Sequence, residues 1–218
     1  MNDRLESVFA AIPACNTFAD VACDHGYIAE AMLKRGKCRM AFVSDISAKS
    51  LSKAEKLLAP FIKAGACKGF VSDGLDGVPK ADCALIAGVG GLLITDILER
   101  TEKAGKLPQS LVVQPMKHCD AVRRAAVNAG YSVVKDFTVY ADGQFYDIIS
   151  LKFTGGGEML SEEEIKFGRT NIKERPQAFR DKIKEKIIKL VSYAERENIA
   201  ESTRRAMLDE AESLKKYV

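Results

Sequence analysis

Tyr131-Ser132-Val133-Val134-Lys135-Asp136-Phe137-Thr138-Val139-Tyr140 and Gln144-Phe145-Tyr146-Asp147-Ile148-Ile149-Ser150-Leu151-Lys152-Phe153 flank the short segment Ala141-Asp142-Gly143. Both runs are strand-like, and Asp-Gly between such runs is a strong hairpin signal. Upstream the rhythm is different. A leading helix around residues 5–12 precedes Phe18-Ala19-Asp20-Val21-Ala22, which reads as a strand, and a helix follows over about 27–35. Residues 40–44, 69–71, 83–87 and 110–114 are further strands. Between them, 48–63 and 91–103 read as helices. In 48–63 Ser47 is the N-cap, and Leu51, Ala54, Leu57, Leu58 and Phe61 recur at helical spacing.

Apolar strands separated by helices imply a parallel sheet covered on both faces. Such a series closed by an antiparallel hairpin is the arrangement of Rossmann-like class I methyltransferases, so the expected fold class is α/β with that sheet. This step is analogy of fold and assigns no function. Thr154-Gly155-Gly156-Gly157 then breaks the pattern as a hinge. Beyond it, Ile183, Ile187, Leu190 and Ala194 repeat at steps of 4, 3 and 4, and so do Met207, Ala211, Leu214 and Val218. Two such stripes with a break near 198–202 predict an antiparallel, coiled-coil-like helical hairpin. The chain is therefore read as a domain of residues 1–155 and a helical domain of residues 158–218.

Composition agrees with an ordinary globular protein. The chain has 218 residues, 47% of them hydrophobic and 29% charged, enough for a sizeable core. The longest run without a strongly polar residue, 83–94, carries three glycines and is too short to span a bilayer. Asn2, Asp3, Arg4 and Glu6 follow Met1 directly, which is no secretory signal, so a cytoplasmic location is expected. Six cysteines lie at wide intervals without a C-x-x-C pair, and there are two histidines, so no structural metal site is expected and the thiols are read as free. A net charge of +3 neither demands nor forbids a nucleic-acid partner.

The first strand-to-helix turn, Asp20-Val21-Ala22-Cys23-Asp24-His25-Gly26-Tyr27, occupies the ligand-binding position of an open α/β sheet. Dinucleotide enzymes place G-x-G-x-x-G there to bring backbone against a pyrophosphate. Here most of those glycines are missing and two carboxylates stand instead. A carboxylate 4 Å from a phosphate charge costs about 1 kcal/mol in water and about 4 at an effective dielectric near 20. Phosphate-bearing coenzymes are thus disfavoured, whereas S-adenosylmethionine, with no phosphate and a cationic sulfonium and ammonium, suits an acidic turn. Asp45 ends the second strand, where a carboxylate can accept both ribose hydroxyls. Asp73 follows the third strand, in position to hold an adenine amino group. The fourth strand runs into Ala87-Gly88-Val89-Gly90-Gly91, whose glycines either admit a ligand to the backbone or only permit tight strand–helix packing. There is no Asn/Asp-Pro-Pro-aromatic motif, which argues against methylation of an exocyclic amine.

The residues 20–27, Ser44-Asp45-Ile46, Ser72-Asp73-Gly74-Leu75, 87–91, Gln114-Pro115 and Phe145-Tyr146-Asp147-Ile148 together resemble the TrmK family, bacterial tRNA adenine-22 N1-methyltransferases. The opening Arg4-Leu5-Glu6 and the charged helical C-terminus are also similar. Two positions depart: the usual glycine of the first motif is Ala22, and Met116 stands where asparagine is frequent. The resemblance implies S-adenosylmethionine as cofactor, held by Asp20, Ala22, Asp24, His25, Asp45, Ile46, Asp73, Gly74, Ala87 and Gly88, and tRNA as acceptor.

Adenine N1 carries an in-plane lone pair, so attack on the sulfonium methyl needs no base to start it. Positioning supplies most of the catalysis, and Asp24 with the carbonyls of Ala87 and Gly88 can stabilise the cationic product ring. His25 and Tyr27 are candidates to stack on the displaced base, or else to bond backbone and pack under the helix. Lys34, Arg35 and Lys37, joined by Arg123, Arg124, Lys173 and Arg180, are candidate phosphate contacts. A monomer or weak dimer is expected. Two other readings stay open: a methyltransferase acting on another RNA or a small molecule, and a non-catalytic RNA- or protein-binding module that retains the fold.

Overall fold

A computed structural model describes residues 1–156 and 158–218. Its first strands are β1 (Thr17–Val21), β2 (Met40–Asp45), β3 (Cys67–Val71), β4 (Cys83–Val89) and β5 (Ser110–Pro115). They run parallel, and the hairpin β6 (Tyr131–Ala141) and β7 (Gln144–Phe153) completes one sheet in the order β3-β2-β1-β4-β5-β7-β6, with β7 antiparallel to both neighbours. The order reverses between β1 and β4, so the ligand crevice of such a sheet lies at their carboxyl ends. Asp142 and Gly143 both have positive φ, which makes the hairpin turn a two-residue loop of the expected Asp-Gly kind.

Neighbouring residues of the central strands point into opposite cores. Leu85, Val112 and Ile148 join one cluster with Val8, Phe9, Met32 and Leu51, from α1 (Asp3–Ala11), α2 (Tyr27–Lys34) and α3 (Ala48–Leu57). Ile86, Leu111 and Ile149 join the other with Ile94, Leu98 and Val122, from α5 (Gly91–Lys103) and α6 (Cys119–Asn128). Burial on both faces is why these strands read as continuously apolar. The expected helix over 48–63 is two helices, because Pro60 opens a separate short one, α4 (Ala59–Lys63).

Two short helices, α7 (Glu162–Phe167) and α8 (Arg169–Glu174), precede the helical hairpin of α9 (Gln177–Ala194) and α10 (Glu201–Leu214). Of the predicted stripes, Ile183, Ile187, Leu190 and Leu214 pack together with Phe167, Phe179 and Tyr217. Val218 is exposed and Tyr217 takes its place in the seam, since the last residues form a 3₁₀ turn rather than α-helix. Gly157 of the predicted hinge lies outside the described residues.

The helices α8 and α9 dock on β6, the edge strand. The amides of Asp136 and Thr138, which lack a strand partner on that side, donate to Thr170 Oγ1 at 3.1 Å and Asn171 Oδ1 at 2.9 Å. Asp136 in turn accepts from the amides of Arg169 and Thr170. Among the described residues no helix is long and apolar enough to cross a membrane.

Candidate functional site

Three residues between β1 and α2 have left-handed backbone: Ala22, Asp24 and Gly26. The chain thereby folds tightly at the strand end and carries residues 23–25 over the sheet rim. Only Gly26 does so without side-chain strain, and its Cβ position is already filled by Ala54 and Leu58. Ala22 adopts the conformation that a glycine would provide, at a cost of about 1 kcal/mol.

The Asp20 carboxylate is buried beneath this turn and accepts the Ala29 amide at 3.2 Å. Desolvation outweighs that bond and holds its carboxyl up at about 7. Asp45 Oδ2 accepts the Asp24 amide and Oδ1 the Ser47 amide, while the Cys23 amide donates to the Ser44 carbonyl. The turn is therefore fastened to the end of β2. Each Asp45 oxygen keeps a second acceptor position.

Asp24 itself is exposed, with its carboxylate 2.9 Å from Lys53 Nζ and 3.6 Å from His25 Nε2. His25 and Tyr27 stack face to face, ring centroids 5.3 Å apart at 9°, and Tyr27 is 45% exposed. Tyr27 thus lies open at the cavity mouth instead of packing under α2.

On the facing wall, β4 loses register with β5 between Ala87 and Val89. Gly88 falls at that irregularity with positive φ and free space at its Cβ position. Gly91 has a different job: a Cβ there would collide with the Lys117 carbonyl, so Gly91 serves close packing. Within this glycine-rich turn, close packing falls to Gly91, while the backbone at Gly88 faces open space.

A cavity of about 430 Å³ results, lined by Asp20, Ala22, Asp24, His25, Tyr27, Ala87 and Gly88, and also by Asn2, Arg4 and Leu5 of the leading helix. Asp45, Ile46, Asp73 and Gly74 are outside this lining. The sheet nevertheless keeps them adjacent to one another, with the Ser72 amide on the Asp45 carbonyl and Ser44 Oγ on the Gly74 carbonyl. Ile46 is 72% exposed, an open apolar surface beside Asp45. Asp73 is engaged by Arg100 at 2.9 Å, and that guanidinium holds its carboxyl below the ordinary range.

The predicted phosphate contacts divide. Arg123 is corrected: it is fully buried, donates to Asp136 at 3.0 Å and to the Ile165 carbonyl at 3.1 Å, and cannot reach a ligand. Arg124 pairs with Glu162, Arg35 with Glu6, and Lys34 with Glu30. Lys37 donates to the Phe9 carbonyl and lies over the Phe9 ring. Arg180 bonds Gln177, and Lys173 is exposed with no salt-bridge partner among the described residues. Arg4 entered the sequence analysis only as part of the similar opening Arg4-Leu5-Glu6, with no role at the site, and it lines the cavity together with Asn2 and Leu5.

A family model described as a methyltransferase domain matches residues 1–149. A provisionally named tRNA methyltransferase of Mycoplasma pneumoniae is 30% identical over 156 residues, covering 69% of this chain and 70% of that one. The tRNA (adenine(22)-N(1))-methyltransferase of Bacillus subtilis, solved as TrmK, is 26% identical over 155 residues, covering 68% of this chain and 63% of its own length. The chain belongs to the TrmK family of methyltransferases. The family model ends at residue 149, within the last strand, whereas likeness of fold covers the whole chain. A Streptococcus pneumoniae structure, provisionally named a tRNA (m1A22) methyltransferase, is 25% identical with a TM-score of 0.90, covering 100% of this chain and 99% of that one. That TrmK relative was also solved in complex with S-adenosyl-L-methionine.

Proposed function

We propose that this chain transfers a methyl group from S-adenosylmethionine to N1 of adenine 22 in tRNA. The observation that carries the reading is the cavity at the β1/β4 switch point, where Asp20 and Asp24 meet the opened backbone at Gly88. Acidic walls favour a cationic sulfonium nucleoside over any phosphate-bearing coenzyme. The names of the sequence relatives supply the acceptor, and the S. pneumoniae complex supplies the cofactor.

Asp45 holds the ribose hydroxyls with its remaining acceptor positions, and Ile46 lies against the adenine. Once the methyl donor is seated, the N1 lone pair attacks the sulfonium methyl carbon in line with the departing sulfur. The C–S bond breaks, S-adenosylhomocysteine leaves with the electron pair, and the ring takes the positive charge. No residue has to remove a proton for this to happen. The Ala87 and Gly88 carbonyls carry most of the charge stabilisation, because Lys53 already balances the Asp24 carboxylate. The His25–Tyr27 pair offers a flat face for the base once it leaves its stack, which offsets a few kcal/mol of unstacking.

Residues 1–155 hold the methyl donor and residues 158–218 help to seat the RNA, with Lys173, Arg180 and Lys34 as phosphate contacts. The enzyme works in the cytoplasm as a monomer or weak dimer. Mass spectrometry of nucleosides from tRNA incubated with enzyme and S-adenosylmethionine tests the reading. The expected product is 1-methyladenosine at position 22. Formation of N6-methyladenosine alone, or methyl transfer to small metabolites only, would overturn it.

A further inference from the structure

The helix α5 opens against its own hydrophobic pattern. Beyond Gly91, its buried residues are Ile94, Ile97, Leu98 and Thr101, the core-facing stripe of an amphipathic helix. Leu92 and Leu93 precede that stripe and take no part in it, being 59% and 44% exposed. Met116, in the turn after β5, is 46% exposed. Packing of the fold therefore gives no reason for these three apolar side chains.

Backbone bonds bring them to one place. The Met116 amide donates to the Val89 carbonyl at 2.9 Å and the Gly91 amide to the Lys117 carbonyl at 3.0 Å, which ties the turns after β4 and β5 together. Val89 lines the cavity beside Ala87 and Gly88, so the apolar patch stands on the cavity rim. The Met116 side chain is itself held, with Sδ 3.6 Å from Nε2 of the buried Gln114. Lys117, next in the same turn, is exposed and has no salt-bridge partner among the described residues. Asp96, the first acid of α5, is engaged by Arg100 at 3.4 Å.

Two leucines and a methionine make a patch far smaller than a stable protein interface. They stand beside a free cation, at the mouth of the cavity that the target base has to enter. Nucleic acid matches both features, with base faces for the apolar side chains and phosphate for the lysine. A base that leaves its stack leaves a gap, and leucine and methionine are among the side chains that proteins insert between base steps.

We infer that Leu92, Leu93 and Met116 form a wedge that enters the RNA stack where the target adenine leaves it, with Lys117 on a flanking phosphate. The His25–Tyr27 pair receives the base, and the wedge closes the gap behind it. The inference rests on the tRNA reading given under Proposed function.

The test uses tRNA carrying 2-aminopurine at position 22, whose fluorescence rises when the base unstacks, bound at saturation to the full chain with S-adenosylhomocysteine. Wild type should give at least a threefold rise. The double variant Leu92→Ser, Met116→Ser should lose half of that rise or more and slow single-turnover methylation of ordinary tRNA at least tenfold. Its affinity for S-adenosylmethionine should stay within about twofold, and Leu92→Met with Met116→Leu should behave as wild type. An abasic nucleotide next to adenine 22, which weakens the stack in advance, should bring the serine variant within about threefold of wild type on the same RNA. A full fluorescence rise in the serine variant, or equal slowing on both RNAs, would overturn the wedge. A wild type that dimerises in sedimentation and a serine variant that is monomeric with unchanged methylation would overturn it in favour of a second copy of the chain. A wild type that forms no 1-methyladenosine in tRNA would instead remove the reading on which the inference rests. Thermal unfolding identifies a misfolded variant, and Leu92→Ser alone then carries the comparison.

Discussion

The Asp45 carboxylate accepts the Asp24 amide at 3.3 Å, so the end of β2 sets the position of the turn that follows β1. Asp45 thus orders the turn, and the proposed function gives it the ribose hydroxyls as well. Asp45→Ala is expected to weaken S-adenosylmethionine binding by about 1.5–3 kcal/mol, roughly ten- to a hundredfold. Asp45→Asn, which keeps one acceptor oxygen, should lose less. Calorimetric affinities check this, and an unchanged value for the alanine variant would refute the ribose assignment.

Asp20 makes cofactor binding sensitive to pH. Burial raises its carboxyl to about 7 from an ordinary 3.8, so the folded protein holds this proton more tightly than the unfolded chain does. Stability without cofactor should therefore fall as pH climbs from about 4 to about 7. A cationic ligand selects the ionised form. Affinity should rise through neutral pH, and binding at pH 6.5 should release a proton, seen as a calorimetric enthalpy that depends on the buffer. Asp20→Asn should abolish both effects.

Ala22 carries left-handed backbone without being glycine. Ala22→Gly relieves that strain but adds freedom to the unfolded chain, which offsets part of the gain. The net expectation is about 0.5–1 kcal/mol of added stability, or roughly 1–4 °C in Tm. A lower Tm would show that the methyl group of Ala22 is packed to advantage.

Arg123 and Asp136 form a fully buried ion pair between α6 and β6. Arg123→Ala leaves an unpaired charge in the interior and should cost about 3–5 kcal/mol in urea unfolding. Replacing both with apolar residues of similar volume, Arg123→Met with Asp136→Leu, should recover most of that loss. If the double variant is as unstable as the single one, the side-chain bonds to Ile165, Arg169 and Thr170 dominate instead.

That pair also shows where reading the sequence stops. Arg123-Arg124 looks like a surface cluster, because nothing local distinguishes a cation whose partner lies in the next strand. The same buried arginine interrupts the apolar stripe of α6, and the sequence reading, although it counted five βα units, gave that helix no bounds. Strands such as β4 and β5 were legible since both their faces are buried, and the hairpin since Asp142-Gly143 admits positive φ. The turn from Asp20 to Tyr27 was legible from its place after the first strand, its missing glycines and its two carboxylates. The bond from Arg4 to Gln114 was not, because the two residues lie far apart in the sequence and only the sheet brings them together.

The bonds from Thr170 and Asn171 to the rim of β6 have a practical corollary for anyone rebuilding this enzyme. The helical part is not a detachable cassette: cutting it away would bare two amides and unseal Arg123 at once. A graft that exchanges RNA specificity between relatives should instead carry β6, the Arg123 helix and residues 168–171 as one inheritable unit, with the junctions placed in the loops outside it.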